Sequence, residues 1–322
     1  MDSSVAVVGA GAIGAWIADA LGAAGWAVSM LARGSTLETL RAEGEGLRVE
    51  RGGETRRSRP RAGSPGELGI HDYVFLTVKA QALPDLAPSL GPLIGPSTVV
   101  VSGTNGIPWW FFHDFGGALA NRPLDSVDPG ESQERAFPRQ RILGSVVHAS
   151  VQVLAPAHVR VVAADRLLLG APNGEVSDRL ERLVGGLRAG GINAETSRRI
   201  RHEVWAKLWG NMNMNPLSAL TRSGTARILA DADVRELCVR MMEEMQVCAR
   251  RLDLQMSMAP AERIAVTQRL GDFKTSMLAD LEAGRPLELA PQLGAVAEIA
   301  QRLDVPAPFL RAILGLTRLL GA

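Results

Sequence analysis

The sequence predicts an α/β domain followed by an all-α domain, and two observations lead to this prediction. From residue 5 onward, short apolar runs of strand length alternate with helical or turn-rich segments, as in a doubly wound sheet that ends in antiparallel strands. From about Glu195 the pattern changes to long helical segments. We therefore place the α/β domain at residues 1–193 and the helical domain at residues 194–322.

Composition limits the classes of protein to which the chain can belong. With 322 residues, 46% of them hydrophobic, it is long enough for two domains with cores of their own. A net charge of +1 without a long basic block predicts no nucleic acid and no membrane as a partner. Cys238 and Cys248 have no metal or redox spacing, and no signal peptide is visible, so a cytoplasmic location is expected.

The first predicted strand, turn and helix carry a dinucleotide-binding fingerprint. An apolar run enters the sequence GAGAIG and continues into a helical pattern and a second apolar run. The first two glycines of this motif permit a tight turn and the close approach of a pyrophosphate, and the third lets the helix pack on the strand. The pattern predicts a Rossmann-like dinucleotide-binding domain. Its predicted cofactor loop consists of Gly9, Ala10, Gly11, Ala12, Ile13 and Gly14.

The end of the second predicted strand bears on the choice between NADPH and NADH. An NAD-selective site offers a carboxylate there to the ribose hydroxyls, whereas this chain has Arg33 followed by Gly34 and Ser35. An arginine at this place favours the 2′-phosphate of NADPH. The alternative is a solvated arginine in a turn.

Further apolar runs predict the rest of the sheet, at residues 73–78, 98–102, 144–153, 159–163 and 167–169. Asn105 and Gly106 follow one such run, so they are either ligand-binding residues at the carboxyl end of a strand or a simple turn. The aromatic run 109–112 is expected in the core or in a pocket wall. The polar stretch 116–139 has no period and predicts a surface excursion or a mobile loop, which could act as a lid.

The helical patterns cover residues 200–214, 234–252, 261–282, 293–302 and 308–320. Of the 35 basic residues only three are lysines, Lys79, Lys207 and Lys274. A lysine, unlike an arginine, can give up a proton during a reaction, so Lys207 is a candidate general acid. Asn211 and Asn215 follow it at helical spacing, which predicts one polar face. The alternative is a surface ion pair, with Pro216 ending the helix.

Five motifs, in this order, resemble the ketopantoate reductase (2-dehydropantoate 2-reductase) family. They are VVGAGAIG, VKA at residues 78–80, the Asn105–Gly106 pair, WAKLWGNMNMNPLSA and SMLADLEAGRPLE. The resemblance implies NADPH-dependent reduction of a small-molecule 2-oxo acid to a 2-hydroxy acid, with 2-dehydropantoate (ketopantoate) and pantoate as the first candidates. It also implies a helical domain that closes over the cleft beside the dinucleotide domain, and the chemistry needs no metal.

The resemblance also implies a role for each matching residue. Lys207 would donate the proton, and Glu288 would lie near the cofactor and the hydroxyl of the substrate. Asn105 would lie between nicotinamide and substrate, while Lys79 and the glycine loop would bind the cofactor. The residues that would bind the substrate are Asn211, Asn215 and Ser276.

Departures from the family pattern keep other functions open. Phe273 stands where relatives often have a polar residue, and the loop after Asn215 lacks an expected asparagine. A bulkier 2-oxo acid is therefore an alternative substrate. A non-catalytic NADP-binding sensor and an imine reductase or β-hydroxyacid dehydrogenase are alternatives of other kinds. A homodimer is open, since the apolar residues 308–320 can pack within the domain or against a second subunit.

Overall fold

The computed structural model describes residues 3–254 and 256–320, apart from the side chain of Asp165, and these residues form two compact units. One unit contains the chain up to Thr104 together with Gly130–Ile200, and the other contains Asn105–Pro129 together with the chain from Arg201. The sequence placed the division between residues 193 and 194. The units divide differently because residues 194–196 pair with the sheet and residues 105–129 belong to the helical unit.

The first unit is built on one sheet. In chain order its strands are β1 (Ser4–Val8), β2 (Ala27–Leu31), β3 (Leu47–Arg51), β4 (Glu54–Ser58), β5 (Arg61–Gly63), β6 (His71–Leu76), β7 (Ile94–Ser102), β8 (Ile142–Ala155), β9 (His158–Gly170) and β10 (Ala194–Thr196). Across the sheet the order is β4-β3-β9-β8-β7-β6-β1-β2-β5, and β10 pairs with β9. From β5 to β8 the neighbours are parallel, whereas β8 and β9 are antiparallel. The predicted doubly wound sheet with antiparallel strands at its end is confirmed.

Helices cover the sheet and build the second unit. Those that begin in the first unit are α1 (Ala12–Ala23), α2 (Gly34–Arg41), α3 (Pro65–Leu68), α4 (Leu83–Leu86), α5 (Ser132–Ala136), α6 (Asp178–Ala189) and α7 (Ile200–Thr221). The remaining helices are α8 (Thr225–Ala230), α9 (Ala232–Arg251), α10 (Pro260–Arg269), α11 (Ser276–Glu282), α12 (Ala295–Arg302) and α13 (Pro308–Arg318). None of the helices in the described ranges is both long and apolar enough to cross a membrane.

The core of the first unit lies between the sheet and helix α1. Val5 to Val8 of strand β1 are fully buried, which explains why this part of the strand is apolar at every position. Trp16, Ile17 and Leu21 of α1 are at most 2% exposed and pack into the same core. Burial of side chains of this size contributes roughly 1.5–3 kcal/mol each, so this contact fixes the start of α1 beside β1.

Two parts of the sheet differ from the sequence prediction. The runs 159–163 and 167–169 are one strand, because shifts of register along the β8–β9 pair accommodate the residues between them. The hairpin of β3 and β4 was missed, although Gly52 and Gly53, both with positive φ, form a two-residue turn that is typical of hairpins. Its strands are rich in arginine, which hid the alternation.

Two helices also differ from the prediction. The expected helix 261–282 is broken into α10 and α11, because Gly271 adopts a φ of +78° and Thr275 caps α11 through its hydroxyl. Helix α7 continues past Pro216 to Thr221 instead of ending before the proline. Its last turns are deeply buried, and packing there outweighs the hydrogen bond that proline removes.

The aromatic run is core. Trp109–Phe112 forms a 3-10 turn whose four rings are at most 4% exposed. Arg201 near the start of α7 fixes the segment by donating hydrogen bonds to the main-chain oxygens of Phe111, at 2.8 Å, and His113. Its guanidinium also lies 5.2 Å from the centre of the Phe115 ring. Of the two interpretations that the sequence left open, the structure therefore supports the core.

The polar stretch 116–139 is not a simple surface excursion. Leu124 and Phe137 are at most 3% exposed. Glu298 of α12 accepts hydrogen bonds from the main-chain nitrogen of Ser126, at 2.9 Å, and from its hydroxyl, at 2.6 Å. Individual apolar and polar contacts anchor the stretch. Because these contacts are irregularly spaced, they produce no periodic pattern from which its packing could be predicted.

Candidate active site

The glycine loop of the first unit is held between three strands. Gly9 follows β1 with a φ of +109°, and its main-chain nitrogen donates to the oxygen of Leu31 at 3.2 Å. The hydroxyl of Thr77, just after β6, donates to the oxygen of Gly9 at 2.8 Å. Because only glycine adopts this φ without strain, the turn that leads from β1 into α1 depends on Gly9.

The two remaining glycines of the loop have different surroundings. A Cβ on Gly14 would collide with the main-chain oxygen of Gly9, so this position needs glycine for the packing of α1 on β1. A Cβ on exposed Gly11 would meet no described atom within 4 Å. Gly11 stands at the N-terminus of α1 without a side-chain cap, which leaves the N–H groups of the first turn available to an anion. The loop fits the pyrophosphate of a dinucleotide.

Two predicted cofactor residues lie at the ends of neighbouring strands. Arg33 follows β2, is exposed and stands immediately before α2. Lys79 follows β6 and is partly buried. Strands β2 and β6 are the two neighbours of β1 and run parallel to it. Both residues therefore lie at the carboxyl ends of the strands, on the same side of the sheet as the glycine loop.

Three predicted residues meet within the second unit. The Lys207 ammonium on α7 donates to the Asn105 side-chain oxygen at 2.7 Å, and the Asn105 amide nitrogen donates to the Glu288 carboxylate at 3.4 Å. Lys207 is partly buried and Glu288 is only 4% exposed. The amide group thus links an ammonium to a carboxylate, and its oxygen and nitrogen orientation is fixed by the two charges.

Local backbone geometry explains why Asn105 reaches this position. Gly106 adopts a φ of +85°, and a Cβ at this residue would collide with the main-chain oxygen of Pro291. The nitrogen of Ile107 donates to that same oxygen at 2.7 Å. Glycine at position 106 therefore lets residues 105–107 pack directly against the segment that carries Glu288.

Burial and a neighbouring negative charge act in opposite directions on the pKa of Lys207. Burial lowers the pKa of Lys207 to about 8, while the negative charge of Glu288 acts in the opposite direction. An ammonium with such a pKa is mostly protonated at neutral pH and gives up its proton more readily than an exposed lysine. Within the described ranges no group of His, Cys, Asp and Glu residues is arranged to hold a metal.

The other predicted substrate residues are placed differently. Asn211 lies one turn beyond Lys207 on α7 and is partly buried. Asn215 is buried, and its amide donates to the Gln292 side-chain oxygen at 2.8 Å. Ser276 is exposed at the first position of α11, and the hydrogen bonds found among the described residues do not join it to Lys207.

Comparison with known proteins identifies the chain. Two family models match it, "Ketopantoate reductase PanE/ApbA" over residues 5–112 and "Ketopantoate reductase PanE/ApbA C terminal" over residues 199–321. A 2-dehydropantoate 2-reductase of Mesorhizobium japonicum is 41% identical over 319 residues, which make up 98% of this chain and 97% of that protein. The chain belongs to the ketopantoate reductase family.

Solved structures agree with this membership. A ketopantoate reductase candidate from Ralstonia solanacearum MolK2 has a TM-score of 0.94 at 40% identity, with 99% of this chain and 98% of that chain covered. The 2-dehydropantoate 2-reductase of Methylococcus capsulatus has a TM-score of 0.82 at 27% identity, with 98% and 96% covered. The predicted fold, an α/β Rossmann-like domain followed by an all-α domain, is confirmed. As a family member the chain is an oxidoreductase of the ketone and CH–OH class with a dinucleotide-binding fold.

The sequence analysis missed two residues that hold predicted site residues in place, one in each unit. Thr77 tethers the glycine loop, and Gln292 holds the Asn215 amide. Thr77 directly follows strand β6, and Gln292 lies in a π-helical turn, Ala290–Gly294. Neither place has a sequence pattern of its own. The role of Thr77 is visible only in the structure, where its hydroxyl contacts the main-chain oxygens of Val8 and Gly9.

Proposed function

We propose that the chain catalyses the NADPH-dependent reduction of 2-dehydropantoate (ketopantoate) to pantoate. The observation that carries the proposal is the contact between Lys207 and Asn105 in a chain that is 41% identical to a 2-dehydropantoate 2-reductase. NADPH, when bound, supplies a hydride to the ketone carbon. The residues of the chain bind both molecules and supply the proton.

Lys207 is the proposed proton donor. As the ketone carbon is reduced, negative charge grows on its oxygen, and the Lys207 ammonium stabilises that charge and transfers a proton from Nζ. A pKa of about 8 matches this task, because the group is charged at neutral pH and yet a better acid than free lysine. Such a donor contributes about 10² to 10⁴ in rate.

Asn105 and Glu288 are proposed to orient the Lys207 ammonium and to keep it protonated. The Asn105 oxygen accepts a hydrogen bond from the Lys207 ammonium, which holds Nζ in a defined position for transfer of its proton to the ketone oxygen. Glu288 orients the Asn105 amide and favours the protonated form of Lys207. We further propose that Glu288 accepts a hydrogen bond from a hydroxyl of the substrate.

Asn211, Asn215 and Ser276 are the proposed substrate-binding residues. Asn211 follows Lys207 by one turn, so its amide can orient an oxygen of the substrate beside the donor. Asn215 is already oriented by Gln292, which leaves its side-chain oxygen as the group that accepts from the substrate. Ser276 is solvent-exposed, so its hydroxyl can bind a ligand without displacing a protein partner.

The cofactor is proposed to be NADPH rather than NADH. The glycine loop from Gly9 to Gly14 would hold the pyrophosphate, and Lys79 would add a positive charge at the same sheet edge. Arg33, exposed after β2, would meet the 2′-phosphate of the adenosine ribose. Replacement Arg33→Ala should reduce kcat/KM with NADPH about tenfold or more while the value with NADH changes little.

We propose that the protein is located in the cytoplasm. Its proposed partner is a small-molecule 2-oxo acid, and neither nucleic acid nor a membrane is proposed. A homodimer is an alternative to a monomer. The two cysteines agree with a reducing compartment. Cys238 and Cys248 are at most 1% exposed, and burial raises the pKa of both thiols to about 12. Such thiols stay protonated and unreactive.

The proposal is tested by following NADPH consumption by the purified protein with ketopantoate and with a panel of bulkier 2-oxo acids, each repeated with NADH. Turnover of ketopantoate with NADPH supports the full proposal. Turnover of only a bulkier acid keeps the reaction class and replaces the substrate. If NADPH binds tightly and no 2-oxo acid is reduced, the proposal falls in favour of a non-catalytic sensor.

A further inference from the structure

A second cationic side chain lies against helix α7, three positions along the chain from the proposed proton donor. Arg263 of α10 is partly buried, and its guanidinium lies against Gly210, where a Cβ would collide with it. Gly210 follows Lys207 by three positions and directly precedes Asn211, so all three share one turn of α7. The guanidinium therefore covers the helix surface beside the proposed substrate residues.

The charge of Arg263 is not balanced within the described part of the chain. Its one described side-chain hydrogen bond goes from Nη1 to the hydroxyl of Thr267, at 2.8 Å, and none of the described ion pairs includes it. Arg285, by contrast, pairs with Asp280 at 2.9 Å. Burial lowers the pKa of Arg263, yet a guanidinium keeps its proton under working conditions. A partly buried guanidinium without a carboxylate partner among the described residues can bind an anion.

Gly210 makes this placement possible. Glycine in the interior of a helix costs about 0.5–1 kcal/mol relative to alanine, so its presence in α7 calls for a structural reason. The absent side chain leaves the space that the planar guanidinium occupies. Any larger residue at position 210 would displace the guanidinium from this part of α7.

We propose that Arg263 binds the carboxylate of the 2-oxo acid. A guanidinium presents its N–H groups as a planar fork that matches a carboxylate, which holds the neighbouring ketone in a fixed orientation. Lys207 and Arg263 together outweigh the single negative charge of Glu288, so the cluster suits an anion. Lys207 then serves the ketone oxygen and Arg263 the acid group. This assignment rests on the proposed function.

The direct test compares a charged substrate with an uncharged one. Steady-state kinetics with NADPH are measured for ketopantoate and for its amide, in wild type, Arg263→Met and Arg263→Lys. Loss of a charge-assisted hydrogen bond should raise KM for the acid about 10- to 100-fold in Arg263→Met, with little change for the amide. Arg263→Lys should restore part of the preference for the acid. Arg269→Met, on the exposed end of the same helix, is the control and should match wild type.

A second variant reaches the same cation without removing it. Gly210→Ala introduces a better helix former but displaces the guanidinium, so KM for the acid should rise while the melting temperature is retained. A merely structural role of Arg263 would instead lower the melting temperature and weaken the acid and the amide alike.

The outcomes separate this inference from the function on which it rests. Normal wild-type turnover with an unchanged acid-to-amide ratio in Arg263→Met overturns the assignment of Arg263 and leaves the proposed function intact. A wild-type protein that reduces no 2-oxo acid overturns both. A selective loss of the acid in Arg263→Met and in Gly210→Ala supports both.

Discussion

Lys207 shows how the surroundings of a single residue change its pKa. The chain uses arginine for nearly all its basic residues, but it has a lysine at the position that we propose for the proton donor. Burial weakens the hold of Lys207 on its proton, while Glu288 limits that effect. The choice of residue type was visible in the sequence. The third lysine, Lys274, lies exposed in an ion pair with Glu282 at 2.5 Å, which shows the ordinary use of the same residue.

The pKa of Lys207 predicts the pH dependence of the reaction. Reduction needs the protonated ammonium, so kcat/KM for ketopantoate should be constant at neutral pH and fall as the pH rises through about 8. Oxidation of pantoate needs the neutral amine and should rise over the same interval. Glu288→Gln removes the charge that raises the Lys207 pKa, so its profile should fall at lower pH. A rate of reduction that stays constant well beyond pH 8 in wild type would contradict the assignment.

The site was only partly predictable from the sequence at this scale. Lys207, Asn105 and Glu288 were expected together from motif resemblance, and they meet within one unit. Arg263 belongs to no sequence motif. Its proposed role depends on contact with Gly210, which is 53 positions earlier in the chain and has no distinctive sequence context. Contacts of this kind between distant positions leave no period in a single sequence.

Glycines decide the boundaries of elements in both units. The break between α10 and α11 follows from the positive φ of Gly271, a conformation that other L-residues adopt at a cost. The hairpin of β3 and β4 likewise turns on two glycines. Periodicity predicted that a helix exists at 261–282, but the position of its break depends on the backbone conformation of one residue.

Gly271→Ala should lower the free energy of unfolding by about 1 kcal/mol, because alanine is strained at this φ. The matched control is Gly315→Ala within α13, where an added Cβ meets no described atom within 4 Å. That change should increase the free energy of unfolding by about 0.5–1 kcal/mol, since alanine is the better helix former. Urea denaturation measures both. Equal effects of the two substitutions would argue against the break.

Substitutions in the glycine loop should distinguish residues needed for cofactor binding from residues needed for folding. Gly11→Ala should fold normally, because the Cβ has space, but it should weaken NADPH about tenfold or more by occupying the approach of the pyrophosphate. Gly14→Ala should instead destabilise the whole unit, because its Cβ collides with the Gly9 oxygen. Calorimetric binding and thermal unfolding distinguish the two. A Gly11→Ala protein with wild-type affinity would place the cofactor elsewhere.

At the scale of the whole molecule, the sequence was sufficient for the order of domain types and insufficient for their limits. The strand, turn and helix of the fingerprint and the long helical patterns predicted both architectures. The segment 105–129 was included in the first domain, because the helical patterns begin only near residue 195, yet it belongs to the helical unit. Membership of a unit is decided by packing, and the anchors of this segment, Arg201 and Glu298, lie much later in the chain.

The central claim, that Lys207 donates the proton in the reduction of a 2-oxo acid, is tested most directly by replacing it. Steady-state reduction of ketopantoate by NADPH is measured for wild type, Lys207→Ala and the exposed-lysine control Lys274→Ala, with melting temperatures recorded for all three. We predict that kcat falls about 10² to 10⁴-fold in Lys207→Ala and stays near wild type in Lys274→Ala. A folded Lys207→Ala protein with wild-type kcat would contradict the account.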